Sequence, residues 1–162
     1  MYKRQWFRLI VNNNDDPAFL RAVGTPKRGI GHTTLGQLGA FATQYKVSLF
    51  EALFSNSLQT VVSARAVGSL HEFGRYINDL EYRARQTLGA EDAKTFLMEW
   101  LKEIGYEQHL LDSEENDKVA AARWGNVLDF CDWMSARCGG TLDDAAGATT
   151  GPEIKTLSLI HI

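Results

Sequence analysis

The sequence predicts an all-α fold, a compact multi-helix subdomain, and three observations carry that prediction. Apolar residues recur at i, i+3, i+4 and i+7 over most of the 162 residues. No stretch alternates apolar and polar side chains as a half-buried strand would. Capping side chains and glycines stand where the periodic runs begin and end. With 44% hydrophobic and 23% charged residues the chain can build a core of ordinary size, and length alone gives no reason to divide it.

The elements follow in order. Asp15-Asp16-Pro17 reads as a helix start, because an aspartate caps free amides and proline suits the first turn; this helix runs through Val23 and stops at Gly24. Thr25-Pro26-Lys27-Arg28-Gly29-Ile30-Gly31 is a loop or hairpin, with proline favouring extended backbone before it and two glycines permitting a tight reversal. From Thr33 or Thr34 a helix carries Leu35, Leu38, Phe41, Ala42 and Tyr45 on one face. Gly36 and Gly39 weaken that helix by roughly 1 kcal/mol each relative to alanine, and would allow a neighbour to approach closely. Ser48 and Glu51 form a capping box for a short helix through Phe54. A long helix over about 67–86 aligns Leu70, Phe73, Ile77, Leu80 and Ala84. The next, over about 91–104, buries Phe96, Leu97, Trp100, Leu101 and Ile104 and ends at Gly105. The last, over about 117–137, turns Val127, Phe130, Cys131 and Met134 inward, and Gly139-Gly140 terminates it. The Ala-, Gly- and Thr-rich segment 143–152 reads as a flexible connection.

Several function classes are excluded by composition. Nothing approaches a membrane span of about 18 apolar residues, and the start of the chain lacks the apolar run of a secretory signal, so a soluble cytoplasmic protein without a membrane partner is expected. Cys131 and Cys138 lie seven apart in a helix-like stretch, roughly 10 Å along the axis at the α-helical rise, too far for a disulfide unless the helix ends between them. The four histidines are scattered, so no metal-ligand spacing exists. The net charge of −3 argues against indiscriminate coating of nucleic acid. Yet residues 1–30 carry Lys3, Arg4, Arg8, Arg21, Lys27 and Arg28 against only Asp15 and Asp16, which directs any phosphate contact to the front of the chain. MYKRQ (residues 1–5) and SLIHI (residues 158–162) look like translated adapter sequence and are set aside as non-native. The local charge then rests on Arg8, Arg21, Lys27 and Arg28.

The chemistry concentrates in Gly29-Ile30-Gly31 followed by His32, Thr33 and Thr34, a helix-hairpin-helix-like turn. Glycines reach positive φ and carry no Cβ, so successive backbone amides can approach a phosphate oxygen and donate to it. The next helix adds its free amino-terminal amides and the positive end of its dipole, and Thr33 or Thr34 can cap it or touch the backbone. Lys27 and Arg28 supply formal charge beside the turn. Such a site reads no bases. The bland alternative is that the glycines end one helix and begin another, with Ile30 plugging the core.

The string WFRLIVNNNDDPAFLRAVGTPKRGIGHTTL resembles the region of UvrD/Rep/PcrA-type helicases where subdomain 2A passes into the inserted subdomain 2B. AAARWGNVLDFCDWM resembles a helix of Rep-like members with an Arg-x-x-Asn pattern, here Arg123 and Asn126. The resemblance covers nearly all of residues 6–157. It implies that residues 6–26 end a 2A-like segment and 27–157 form most of a 2B-like helical subdomain. It further implies a 3′–5′ ATP-dependent DNA helicase as parent, with Gly29, Ile30 and Gly31 as a hairpin on the duplex backbone and Thr33 and Thr34 opening its helix. The implied partners are duplex DNA or a single/double-strand junction, the remaining subdomains 1A, 1B and 2A, and replication or repair proteins. The parent would use ATP and Mg²⁺.

No cofactor or catalytic residue is expected within these residues themselves. A nucleotide-binding loop needs Gly-x-x-x-x-Gly-Lys-Ser/Thr, whereas the stretch from Gly89 to Thr95 has Ala93 in place of the second glycine, and 152–156 lacks that glycine too. A helix-hairpin-helix glycosylase would need a catalytic aspartate soon after the turn, but the first is Asp79, buried in a predicted helix. The competing non-enzymatic reading is a helical protein-interaction module without DNA binding. Trp100, Trp124 and Trp133 read as core or half-buried residues rather than base-stacking platforms. Asp112, Glu114, Glu115 and Asp117 read as a solvated turn rather than a calcium loop, and His71 and His109 as structural or exposed.

Overall fold

The computed structural model describes residues 2–139, with side chains for 4–137. Among these described residues eight α-helices follow one another: α1 (Tyr2–Val11), α2 (Asp16–Gly24), α3 (His32–Tyr45), α4 (Leu49–Ala52), α5 (Ala64–Arg85), α6 (Gly89–Glu103), α7 (Tyr106–Ser113) and α8 (Asp117–Gly139). A 3-10 turn, Asn56–Thr60, precedes α5. Among the described residues there is no strand, as the helical spacing predicts. The chain divides into two compact units, Met1–Glu81 and Tyr82–Ile162, and the division falls inside α5.

In the first unit the capping signals act as their chemistry dictates. Asp15 accepts a hydrogen bond from the Ala18 amide at 3.1 Å, and Pro17 sits in the first turn of α2. Ser48 and Glu51 complete the capping box of α4, which ends at Ala52 rather than Phe54. Two bonds between residues distant in sequence join these starts: Ser48 Oγ donates to Asn14 Oδ1 at 2.7 Å, and the Leu49 amide donates to Asp16 Oδ1 at 2.9 Å.

Helix α1 was not expected. Residues 2–5 continue the helix formed by 6–11, and Trp6, Phe7, Leu9 and Ile10 are all buried. A six-residue run that is apolar except for Arg8 carries no decisive helical signal by itself; its helix is fixed by what it packs against. Trp6 meets Phe73 edge-on at 5.9 Å and Tyr76 at 6.2 Å, and Phe19 of α2 meets Phe73 at 5.4 Å. This aromatic knot is the core, with Leu70 and Ile77 fully buried on the same α5 stripe. His71 makes a 2.6 Å hydrogen bond to the Leu53 carbonyl and stacks on Phe54.

Helix α3 departs from expectation in three places. It begins at His32 with Gly31 as N-cap, so Thr33 and Thr34 fall inside the first turn rather than capping it. A Cβ built on Gly36 or Gly39 would meet nothing within 4 Å, so no neighbour exploits these glycines. Tyr45 is 53% exposed although its ring lies 4.5 Å from Phe41, because the helix ends there.

In the second unit, all five core positions expected of α6 are buried, as are Val127, Cys131 and Met134 of α8. Gly105 adopts φ +64°, reversing the chain into α7, whose buried Tyr106 and Leu110 lie one turn apart. Phe130 is half-buried rather than inward, and Trp133 is 42% exposed with Arg137 over its face at 4.2 Å. One residue is about 100° of helical rotation, which carries Trp133, on the side of Met134 away from buried Ser135, off the buried stripe. Arg83 grips Glu103 through two bonds of 2.9 and 2.7 Å, tying the last turn of α5 to α6. Gly140, the 143–152 connection and the 158–162 segment lie outside the described residues.

Candidate nucleic-acid interface

The loop over residues 25–31 leaves α2 and enters α3, and both ends are pinned. At the α2 end, the Trp6 indole donates to the Thr25 carbonyl at 3.0 Å, and the Thr25–Pro26 peptide is cis. At the α3 end, the Leu35 amide donates to the Gly31 carbonyl at 3.1 Å, closing the first helical bond. Between them Gly29 takes φ +76°. An L side chain adopts that region only at a cost, so the position favours glycine.

The residues picked out from sequence occupy unlike surroundings. Lys27, Gly29, Gly31 and Thr33 are exposed, and Ile30 and Thr34 are half-buried. Ile30 therefore does not plug the core outright. Glycine at the N-cap supplies no side-chain acceptor, so α3 opens without a capping bond. Its first amides, those of His32, Thr33 and Thr34, lie in the turn that has no intrahelical acceptor. A Cβ on Gly29 or Gly31 would meet nothing within 4 Å, which leaves room above both. An exposed loop beside an uncapped helix start can present several donors to an anion, with the helix dipole in support.

Arg28 differs from Lys27. Its guanidinium carbon lies 5.1 Å from the Trp6 ring centre, 5.5 Å from Phe73 and 5.0 Å from Tyr76. Its Nε is buried and has no hydrogen-bond partner among the described residues. Desolvation lowers the Arg28 pKa from its ordinary value, opposed in part by Tyr76. Nothing in the local sequence announces this box, since its walls come from α1 and α5.

The other positions weighed from sequence are settled locally. Asp79 is on α5 but exposed, not buried. Lys94 lies within α6 and pairs with Asp132 at 2.8 Å, next to buried Ala93, so that stretch forms no phosphate loop. Arg123 of α8 pairs with Glu114, while Asn126 is exposed. The second unit also carries a groove of about 570 Å³ lined by Met98, Leu101, Tyr106, Leu111 and Trp124, which sequence periodicity did not reveal.

No protein-family model matches the chain. Among curated proteins it is 33% identical over 130 residues to the ATP-dependent DNA helicase Rep of Salmonella typhimurium, covering 80% of this chain and 18% of that protein. It is 32% identical over 130 residues to Rep of Escherichia coli, covering 80% and 19%. The ATP-dependent DNA helicase PcrA of Leuconostoc citreum is 30% identical over 125 residues, covering 77% and 16%. This chain belongs to the UvrD/Rep/PcrA-type DNA helicase family. It spans about one fifth of the length of the Rep helicases it matches. In this chain, the loop over residues 25–31 and the uncapped start of α3 together leave exposed backbone at the beginning of the helix.

Proposed function

We propose that this segment is the accessory 2B-like part of a 3′–5′ ATP-dependent DNA helicase, with residues 6–26 closing a 2A-like segment and 27–157 forming the 2B-like subdomain. It contacts the backbone of duplex DNA ahead of the junction and regulates unwinding. Gly29, Ile30 and Gly31 meet the phosphates through the backbone, Thr33 and Thr34 open the helix behind them, and Lys27 and Arg28 give the loop its positive charge. ATP and Mg²⁺ belong to the rest of the parent protein, as do subdomains 1A, 1B and 2A. The observation that carries this reading is the exposed glycine loop, with Gly29 at φ +76°, running into a helix whose N-cap has no side chain. Backbone amides so arranged bind phosphate without regard to sequence.

The test is a salt titration of duplex binding by the 162-residue chain. Binding at low salt that is insensitive to base sequence is expected. Lys27→Ala should lower the slope of log K against log salt by about 1, the change for one lost phosphate contact. No binding at low salt would overturn the proposal and favour a helical protein-interaction module. The groove beside Trp124 is the observation that supports that second reading.

A further inference from the structure

We infer that Arg28 is a positioning residue for the glycine loop, clamping it from beneath, and not itself a phosphate ligand. The inference rests on the proposed duplex contact and divides the work between two adjacent cations. Lys27 is exposed, whereas the Arg28 guanidinium lies 5.0–5.5 Å from three ring centres on α1 and α5. A planar, weakly hydrated guanidinium stacks on aromatic faces in a way that a compact ammonium does not. The same box bonds the loop a second time, through the Trp6 indole on the Thr25 carbonyl. Arg28 therefore fixes the residue before Gly29, and with it the direction in which the following amides point. For the guanidinium to reach a phosphate it would have to leave all three rings and release the loop.

The closing experiment compares Arg28→Lys, Arg28→Met and Lys27→Ala in the 162-residue chain, after far-UV circular dichroism shows each to be folded. In the free protein, hydrogen exchange of the amides of residues 29–34 is expected to accelerate in both Arg28 variants and stay unchanged in Lys27→Ala. In duplex binding, both Arg28 variants should lose about tenfold in affinity, the equivalent of having to order one more backbone residue on binding. The salt slope of Arg28→Met should nevertheless match wild type, whereas Lys27→Ala drops by about 0.9. A slope reduced in Arg28→Met but kept in Arg28→Lys would overturn the inference and make Arg28 a phosphate ligand. Unchanged loop exchange in both variants would also overturn it. Absence of duplex binding by the wild type would instead bring down the functional proposal, and loop exchange would still decide whether Arg28 is a clamp.

Discussion

Replacing Gly29 with alanine isolates a single physical quantity. The position sits at φ +76°, and a Cβ built there meets nothing within 4 Å. The substitution therefore introduces backbone strain and no steric clash. Placing an L-residue in the left-handed region costs roughly 1–2 kcal/mol. Alanine also restricts the unfolded chain, which returns about 0.4–1 kcal/mol in the opposite direction. The net expectation is a loss of about 1 kcal/mol, read as a lower urea midpoint at constant slope. Gly29→Asn should recover part of that loss, because asparagine tolerates this region better than alanine. Gly31→Ala is the contrasting case: its φ is −91° and its surroundings are equally open. Glycine is the better N-cap while alanine gains in the unfolded chain, so stability should change by less than about 0.5 kcal/mol. Its added methyl should still weaken duplex binding, because it occupies open space at a position proposed to meet a phosphate through its backbone. A Gly29→Ala variant as stable as wild type would refute the reasoning, since no packing term is available to compensate.

The remaining predictions concern other links. On α5, Gly68→Ala should stabilise the protein by about 1 kcal/mol from helix propensity alone, because an added Cβ meets nothing within 4 Å there. Gly74→Ala should show none of that gain in thermal unfolding, since its Cβ would lie 2.9 Å from Phe54 Cζ and 3.0 Å from buried Leu53 Cδ1. Asp15→Ala removes the α2 cap and the 2.9 Å ion pair with Arg8; chemical denaturation should register a loss of about 1–2 kcal/mol, mostly from the cap because the Arg8 end of the pair is exposed to solvent. A phosphate-release assay on the 162-residue chain with ATP and Mg²⁺ should give no turnover above buffer, and measurable turnover would refute the reading of Gly89 to Thr95 as plain helix.

The sequence by itself determined the local structure wherever the decisive partners are near in the chain. The Asp15 cap and the Ser48–Glu51 box operate within three residues, and the stripe from Leu70 to Ala84 is a property of one helix, so each could be read directly. Family membership was legible too, in the string from Trp6 to Leu35. Only the tertiary structure decided the elements whose partners are distant. Helix α1 takes its place through Trp6 against Phe73 and Tyr76. Asp79 and Trp133 sit on the expected helices yet face solvent, because rotation about a helix axis fixes exposure only once a neighbour covers one side. Arg28 is the sharpest instance. Beside Lys27 in sequence it is one of two basic residues at a glycine turn, and three aromatic rings from α1 and α5 make it something else. A side chain's charge is local information, but its solvation depends on what the rest of the chain brings to it.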